Sequence, residues 1–450
     1  TLPTANNSYF YPAASASMIV SEMADLGAIS FLKLRAAVAA VGSDTDPYLL
    51  NNTYSPAAMF GGYPAFGINT FATNPDLRPE RTNSSELGID ARFAKGRFGM
   101  DLAVYDMTTE DQIIYLPVAT STGRTSRLAN GGAIRNRGIE LQLFGDIVKN
   151  DKLTWNSRIN LGANRAVVTE LPDGVSGGYP IVASMFPNDG GTVGLEYVAV
   201  EGELLGQLKG LTFMRDTDGN IIHQDGLPMV SEEKSTIGSY QPKARIGWMN
   251  SFSVGNWQAN ILFDGQIGGL IYSRSHTLHN TAGNLVNDND PLLDMNAIDG
   301  RVVYGVTYDG NGEPVYNLDQ EGGVVGSGVM YDASGNLVAN TVSVPIRDYY
   351  YKYYGNVWSR DNIEPSTFDA SYLKLRQLSI AYTVPADKLA NTGLKGLTVS
   401  FVGRNLLLFT KVPTIDPETY SIRNGLFVNG YESTSMPSLR SFGFSINANL

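Results

Sequence analysis

The chain has 450 residues, 33 basic against 44 acidic side chains, a net charge of −11 and no cysteine. That balance argues against a nucleic-acid partner, which calls for a basic face, and the missing thiols exclude a disulfide framework, a thiolate metal site and a cysteine nucleophile. Forty-eight glycines, 24 tyrosines and 18 phenylalanines with only 17% charge make a strand- and turn-rich composition, and the best candidate for a membrane helix, Ala14 to Gly42, is broken by Glu22, Asp25, Lys33 and Arg35.

Taken in order, residues 9–20 predict a first strand, Asp25-Leu-Gly a turn, and Ile29 to Val41 a second strand. A polar, proline-bearing loop fills 43–83. From Ser84 to Phe93 the pattern alternates strictly: Leu87, Ile89, Ala91 and Phe93 share one face, and Glu86, Gly88, Asp90 and Arg92 the other. Ala94-Lys-Gly turns the chain into an alternating strand, Arg97 to Asp106. After a Ser/Thr/Gly loop at 117–132, Gly132 to Ile147 and the stretch from Leu153 predict a further hairpin, with Trp155, Ile159 and Leu161 on one face. Residues 171–238 are a long excursion whose own candidate strand, Leu204 to Met214, is counted with the loop. Ala244 to Val254 and Trp257 to Ile267 pair around Gly255-Asn256. The longest loop, 274–366, carries hairpin turns at DGNGEP and DASGN; Tyr372 to Thr383, Leu397 to Leu408 and Leu439 to Leu450 complete eleven strands.

Two motifs carry a family resemblance. NPDLRPER…SELGID (from Asn74) resembles the loop-and-strand motif of TonB-dependent outer-membrane transporters. DASYLKLRQLSIAYTVP (Asp369 to Pro385) resembles the narrower signature of their SusC-like (RagA/SusC) branch, the nutrient importers of the Bacteroidetes type. GAIRNRGIELQLFGDI resembles that family's NxGxE-type strand, and FVGRNLLLFTK its penultimate strand. The final alternating strand resembles the outer-membrane targeting signal, with Leu450 where an aromatic is usual. The resemblance covers nearly the whole chain.

The connections discriminate a barrel from a soluble sandwich. Short links (94–96, 148–152, 255–256, 385–396) alternate with long ones (43–83, 117–132, 171–238, 274–366, 411–436). A sandwich has no reason to gather every long loop at one end, whereas a barrel has short periplasmic turns and long extracellular loops. Only closure satisfies every backbone donor and acceptor in a bilayer. The fold class predicted is therefore all-β, a transmembrane antiparallel β-barrel. Eleven strands is an odd number, and bacterial barrels normally have an even one. With the opening TLPTANN, which has neither methionine nor secretory signal, this fits half of the 22-stranded barrel that the resemblance implies, so residues 1–450 are expected to be its C-terminal half. The plug domain and first barrel half would then lie outside this chain.

Several chemical motifs have plainer readings. Gly174-Val-Ser-Gly-Gly matches a nucleophile elbow in letters but sits in a Gly-rich loop without the strand–turn–helix that motif requires. His276 and His279 have no third ligand pattern and read as solvated loop histidines. Asp216, Asp218 and Asn220 open like a calcium loop, but Ile221 and Leu227 stand where glycine and glutamate belong, so an Asp-Gly turn is predicted. No catalytic or metal-binding residue is expected, and no cofactor, although a structural calcium in the outer loops stays open. The aromatic run Tyr349, Tyr350, Tyr351, Tyr353, Tyr354 with Trp358 is the candidate substrate- or partner-binding set. Its alternative is packing at the loop base or the membrane interface. Trp155 and Trp257 read as interface girdles.

The resemblance implies an energised importer in the outer membrane of a Gram-negative, Bacteroidetes-type cell rather than an enzyme. A SusD-like surface lipoprotein would close over an oligosaccharide or peptide substrate, and TonB-ExbB-ExbD would act through the segment absent here. The rivals are a passive porin, a barrel protease or lipase, and a secreted β-sandwich. Nothing in the sequence chooses between glycan and peptide.

Overall fold

A strand that alternates apolar and charged residues must find partners on both edges and different media on its two faces, and this chain provides both. The computed structural model describes residues 2–182, 194–281, 306–308, 314–316, 324–344, 346–355, 362–390, 392–419, 421–423 and 426–449. Eleven strands form one sheet in sequence order: β1 Ala13–Ile19, β2 Ile29–Ser43, β3 Glu80–Phe93, β4 Phe98–Glu110, β5 Ala133–Lys149, β6 Thr154–Glu170, β7 Ala244–Val254, β8 Trp257–Ile267, β9 Tyr372–Thr383, β10 Gly396–Thr410 and β11 Ser441–Asn449. Every neighbouring pair is antiparallel. These are the eleven strands that the alternation predicts. Among the described residues β1 and β11 are paired on one edge only, and both are exposed along their whole length.

Directly opposed residues share a face, so the register shows how the sheet divides. One row reads Leu34, Ile89, Leu102, Leu141, Leu161, Ile246, Gly265, Leu373 and Phe409. Its exposed members, Leu34, Leu373 and Phe409 among them, form an apolar band of the kind a bilayer covers. One residue over, on the other face, the row reads Lys33, Asp90, Asp101, Gln142, Asn160, Gly247, Asp264 and Lys374. That is a lumen wall.

The connections alternate as expected. Residues 20–28, 94–97, 150–153, 255–256 and 384–395 lie at one end, and 44–79, 111–132, 171–243, 268–371 and 411–440 at the other. Gly255, at φ +55°, is the first central residue of the two-residue turn between β7 and β8, where a side chain would strain the backbone. Near the short-turn end Trp155 stacks on Phe252 at 5.6 Å and Trp257 meets Tyr382 at 4.8 Å. This is where the girdle reading of both tryptophans places them. Among the described residues no helix is long and apolar enough to cross a membrane.

Several boundaries differ from the sequence reading. β3 starts at Glu80 and β4 runs to Glu110, because the ladder continues beyond the apolar band, where polar residues follow one another and alternation no longer marks a strand. There the Thr82 and Thr109 hydroxyls meet at 2.9 Å. The first strand starts at Ala13 rather than residue 9, directly after Pro12, which has no N–H to donate. Within 204–214 only Gln207–Gly210 is strand, one member of a four-stranded sheet in its loop. The DASGN turn joins Val329–Tyr331 to Leu337–Ala339; the strands flanking DGNGEP also pair, while its turn lies outside the described residues.

Candidate functional site

The lumen wall is charged, and glycines shape it. Arg35 on β2 lies across Gly88 of β3 and reaches Asp101 on β4 at 2.7 Å, with Glu86 3.7 Å away. A β-carbon at Gly88 would collide with the Arg35 guanidinium. Tyr105 lies over Gly138 and Phe144 over Gly99 in the same way, each a directly opposed pair. Glycine here lets a long partner side chain lie flat along the wall.

The signature strand β9 carries the densest cluster. Its alternation changes phase at Arg376: Leu373 and Leu375 face outward before it, and Leu378, Ile380 and Tyr382 after it, across a bulge between Leu375 and Gln377. Lys374 and Arg376 thus both stand on the lumen side. There they hold the 411–440 loop. Lys374 Nζ donates to both Asp416 oxygens at 2.6 and 2.7 Å and also to Glu418. Arg376 donates to both Glu418 oxygens at 2.7 Å and to Asp264 of β8, with its Nε 3.1 Å from that carboxylate. Tyr372 O–H donates to Glu418 at 2.9 Å. The Lys374 side chain is 2% exposed and that of Asp416 7%. Burial pushes both loop carboxyls up, but the lysine and arginine bonds outweigh it and hold Asp416 and Glu418 below the usual carboxylate range. The result is a latch between the last outer loop and the wall.

Above it, three loops share one apolar core: Leu195, Tyr197 and Leu208 from 171–243, Tyr272 and Ile363 from 268–371, and Val428 and Tyr431 from 411–440. Fully buried Glu432 ties two of them together. It accepts from Ser273 Oγ at 2.9 Å, Ser275 N at 3.2 Å, Ser275 Oγ at 2.7 Å and Ser435 N at 2.8 Å. Its carboxylate thereby meets the Ser275 N–H in the first turn of helix α1, Arg274–Thr281. A separate core of Leu2, Leu77 and Leu128 joins the opening segment to the loops 44–79 and 111–132.

The aromatic run forms helix α2, Ile346–Tyr353, and its end. Tyr349, Tyr350 and Tyr354 are buried with Val324 and Val344, and Tyr353 packs against them. Tyr351 and Tyr353 are half-buried. Trp358 lies outside the described residues. Tyr349 O–H meets His223 Nε2 at 3.2 Å, and burial pushes the His223 pKa down. His276 departs from the solvated reading. It is buried on α1, with Nδ1 3.0 Å from Ser366 Oγ and Nε2 3.1 Å from Asn280 Nδ2, whereas His279 is exposed. Asp216 Oδ1 accepts from the Asp218 and Asn220 amides at 2.9 and 2.8 Å, which makes that stretch a turn. Ser176 of the Gly174 motif lies in a loop. Among the described residues no group of three or more histidines or carboxylates is placed to hold a metal.

Asp416, Glu418 and Glu432 are not in the sequence-derived candidate set. Their trace in the sequence is slight: the adjacent polar pair Arg376-Gln377 that breaks the alternation of β9, and two acids flanking Pro417.

Comparison with known proteins gives a consistent result. The family described as TonB dependent receptor-like, beta-barrel matches residues 44–406. A TonB-dependent receptor of Formosa agariphila is 26% identical over 476 aligned positions, covering 98% of this chain and 42% of that protein. The TonB-dependent receptor SusC of Bacteroides thetaiotaomicron is 25% identical over 174 positions, covering 35% of this chain and 17% of its own length. The RagAB peptide transporter superposes with a TM-score of 0.68 at 17% identity, over 99% of this chain and 44% of that one. The chain thus spans well under half the length of the relatives that match it end to end.

Proposed function

Because the chain belongs to the TonB-dependent receptor family, as the match over residues 44–406 establishes, we propose that it forms wall and outer loops of a SusC-like importer of oligomeric nutrients. It is an outer-membrane β-barrel protein, and its family is one of receptors and transporters. The observation that carries the proposal is the division of the eleven-stranded sheet into an apolar outward face and a charged inward face, with two edge strands that offer further pairing. Residues 1–450 serve as the C-terminal half of a 22-stranded barrel, which other strands of the same polypeptide close and a plug fills.

Import on this reading is gated passage. Substrate binds at the loop side, where three loops share one core. A SusD-like lipoprotein covers that side, and TonB-ExbB-ExbD acts through segments outside this chain. The chain contributes no covalent chemistry and requires no cofactor. The substrate is a glycan or an oligopeptide; the solved relative is titled a peptide transporter. Within the aromatic run, half-buried Tyr351 is the tyrosine outside the packed loop core and is the side chain that we assign to ligand contact.

Denaturing and native mass spectrometry of the detergent-extracted complex test this reading. A polypeptide near twice 48.7 kDa accompanied by a lipoprotein is the expected result. A lone 48.7 kDa chain forming a complete pore would replace the importer by a passive porin.

A further inference from the structure

On the outward face the apolar band of β3–β6 ends at the row Leu87, Val104, Ile139 and Ala163. One step toward the long loops the same face reads Ser85, Asp106, Arg137 and Arg165, and the next step Asn83, Thr108, Arg135 and Val167. Three arginines and one aspartate therefore share this outward patch, 3 − 1 = +2, on a chain whose net charge is −11. Asp106 is consumed within it, accepting from Arg135 Nε and Arg137 Nε at 2.9 Å each. Arg165 is exposed, stands directly opposite Arg137, and has no acidic partner among the described residues. Directly opposed like charges destabilise a sheet unless an anion lies between them. Beside the pair is a cavity of ≈ 670 Å³ whose lining includes Asp106, Arg137, Ile139, Ala163, Arg165 and Lys243.

The position of the patch decides what the anion is. It faces away from the lumen and follows directly on an apolar band, at the end of the sheet that carries the long loops. In an outer-membrane barrel that is headgroup depth in the outer leaflet. A ligand there has an anionic head at the arginines and hydrocarbon lying on Leu87, Val104 and Ile139. We propose that the outward face of β3–β6 binds a phosphorylated glycolipid of the outer leaflet, with its phosphate between Arg137 and Arg165. This rests on the outer-membrane placement and not on which nutrient the transporter carries.

The test uses the full transporter complex, extracted in mild detergent, as wild type and as the double variant R137Q/R165Q. Arg135 is kept so that Asp106 retains a partner. Native mass spectrometry should find phosphorylated glycolipid on the wild type. Titration with purified lipid should show roughly tenfold to thirtyfold weaker binding by the variant, the worth of two surface charges near a headgroup. R137K/R165K should keep most of the affinity, and enzymatic dephosphorylation of the lipid should lower wild-type binding to the level of R137Q/R165Q. Unchanged heat-modifiable gel mobility identifies folded barrels. Folded R137Q/R165Q that binds as the wild type does, or wild type that binds dephosphorylated lipid equally well, overturns the proposal. Displacement of the lipid by micromolar inorganic phosphate also overturns it, in favour of a soluble-anion site.

Discussion

Lys374→Met removes the cation at the centre of the latch while keeping the volume of its stem. The Lys374 side chain is 2% exposed, and its ammonium makes two bonds to Asp416, whose side chain is 7% exposed. Breaking a buried pair from one side costs about 3–5 kcal/mol, because the remaining charge stays desolvated. Glu418 retains Arg376 and Tyr372, so the low end of that range, about 3 kcal/mol, falls on Asp416 and its loop. Each 1.4 kcal/mol is tenfold in an equilibrium, so local opening of 411–440 should rise about a hundredfold. Hydrogen exchange of the detergent-solubilised protein reads this directly. The Thr419 amide, bonded to the Asp416 backbone carbonyl at 2.9 Å, should lose most of its protection while β2–β5 keep theirs. Lys374→Met with Asp416→Leu replaces the pair by apolar groups and should restore much of the protection. Unchanged exchange in the single variant, or a double variant that exchanges faster than the single, would refute the idea that buried charge holds this loop.

Acid should open the same latch. Lys374 and Arg376 hold the Asp416 and Glu418 carboxyls below their unfolded values, so their contribution is complete above roughly pH 4–5 and fades as pH falls through the lowered folded values. Exchange at 411–440, corrected for intrinsic rates, should accelerate below that range before the strands respond. Glu432→Ala leaves the donors at Ser273, Ser275 and Ser435 unmatched, at about 1–3 kcal/mol for each buried group. Proteolysis within 268–371 and 411–440 should quicken together in that variant, and cleavage confined to one loop would contradict a shared core. Leu102→Arg places a charge in the middle of the apolar row and should cost about 2–4 kcal/mol of barrel stability in lipid, measured as a lower urea midpoint. Gly88→Leu should displace Arg35 from Asp101, weakening the wall between β2 and β4 without changing membrane insertion.

The wall was legible in the sequence and the loop assembly was not, for a physical reason. A strand between lipid and lumen has two unlike faces, so Leu87, Ile89 and Ala91 alternating with Glu86, Gly88 and Asp90 specify both its conformation and its environment. Even the β9 bulge leaves a mark, the polar neighbours Arg376 and Gln377. The loop core has no such period. Leu195, Tyr197, Ile363 and Tyr431 come from three separate loops, and nothing local in the chain shows that they meet. The same holds for Glu432, which reads as one more loop acid and is fully buried. The aromatic run was conspicuous by composition, yet composition did not show that Tyr349, Tyr350 and Tyr354 turn into a core while Tyr351 stays half-buried.

The two kinds of contact also separate in time. Every pairing in the eleven-stranded sheet joins strands adjacent in sequence order, so its five hairpins with short turns can form with little entropy lost at each closure. The loop assembly closes longer spans than any strand pairing: 159 residues separate Ser273 from Glu432, and 151 separate Phe213 from Glu364. Long closures are slow and profit from ends already held near one another. The sheet brings those ends together, since the long loops all leave its same end. Assembly on this topology is ordered: the short-turn hairpins form first, and the loop core condenses on the paired strands.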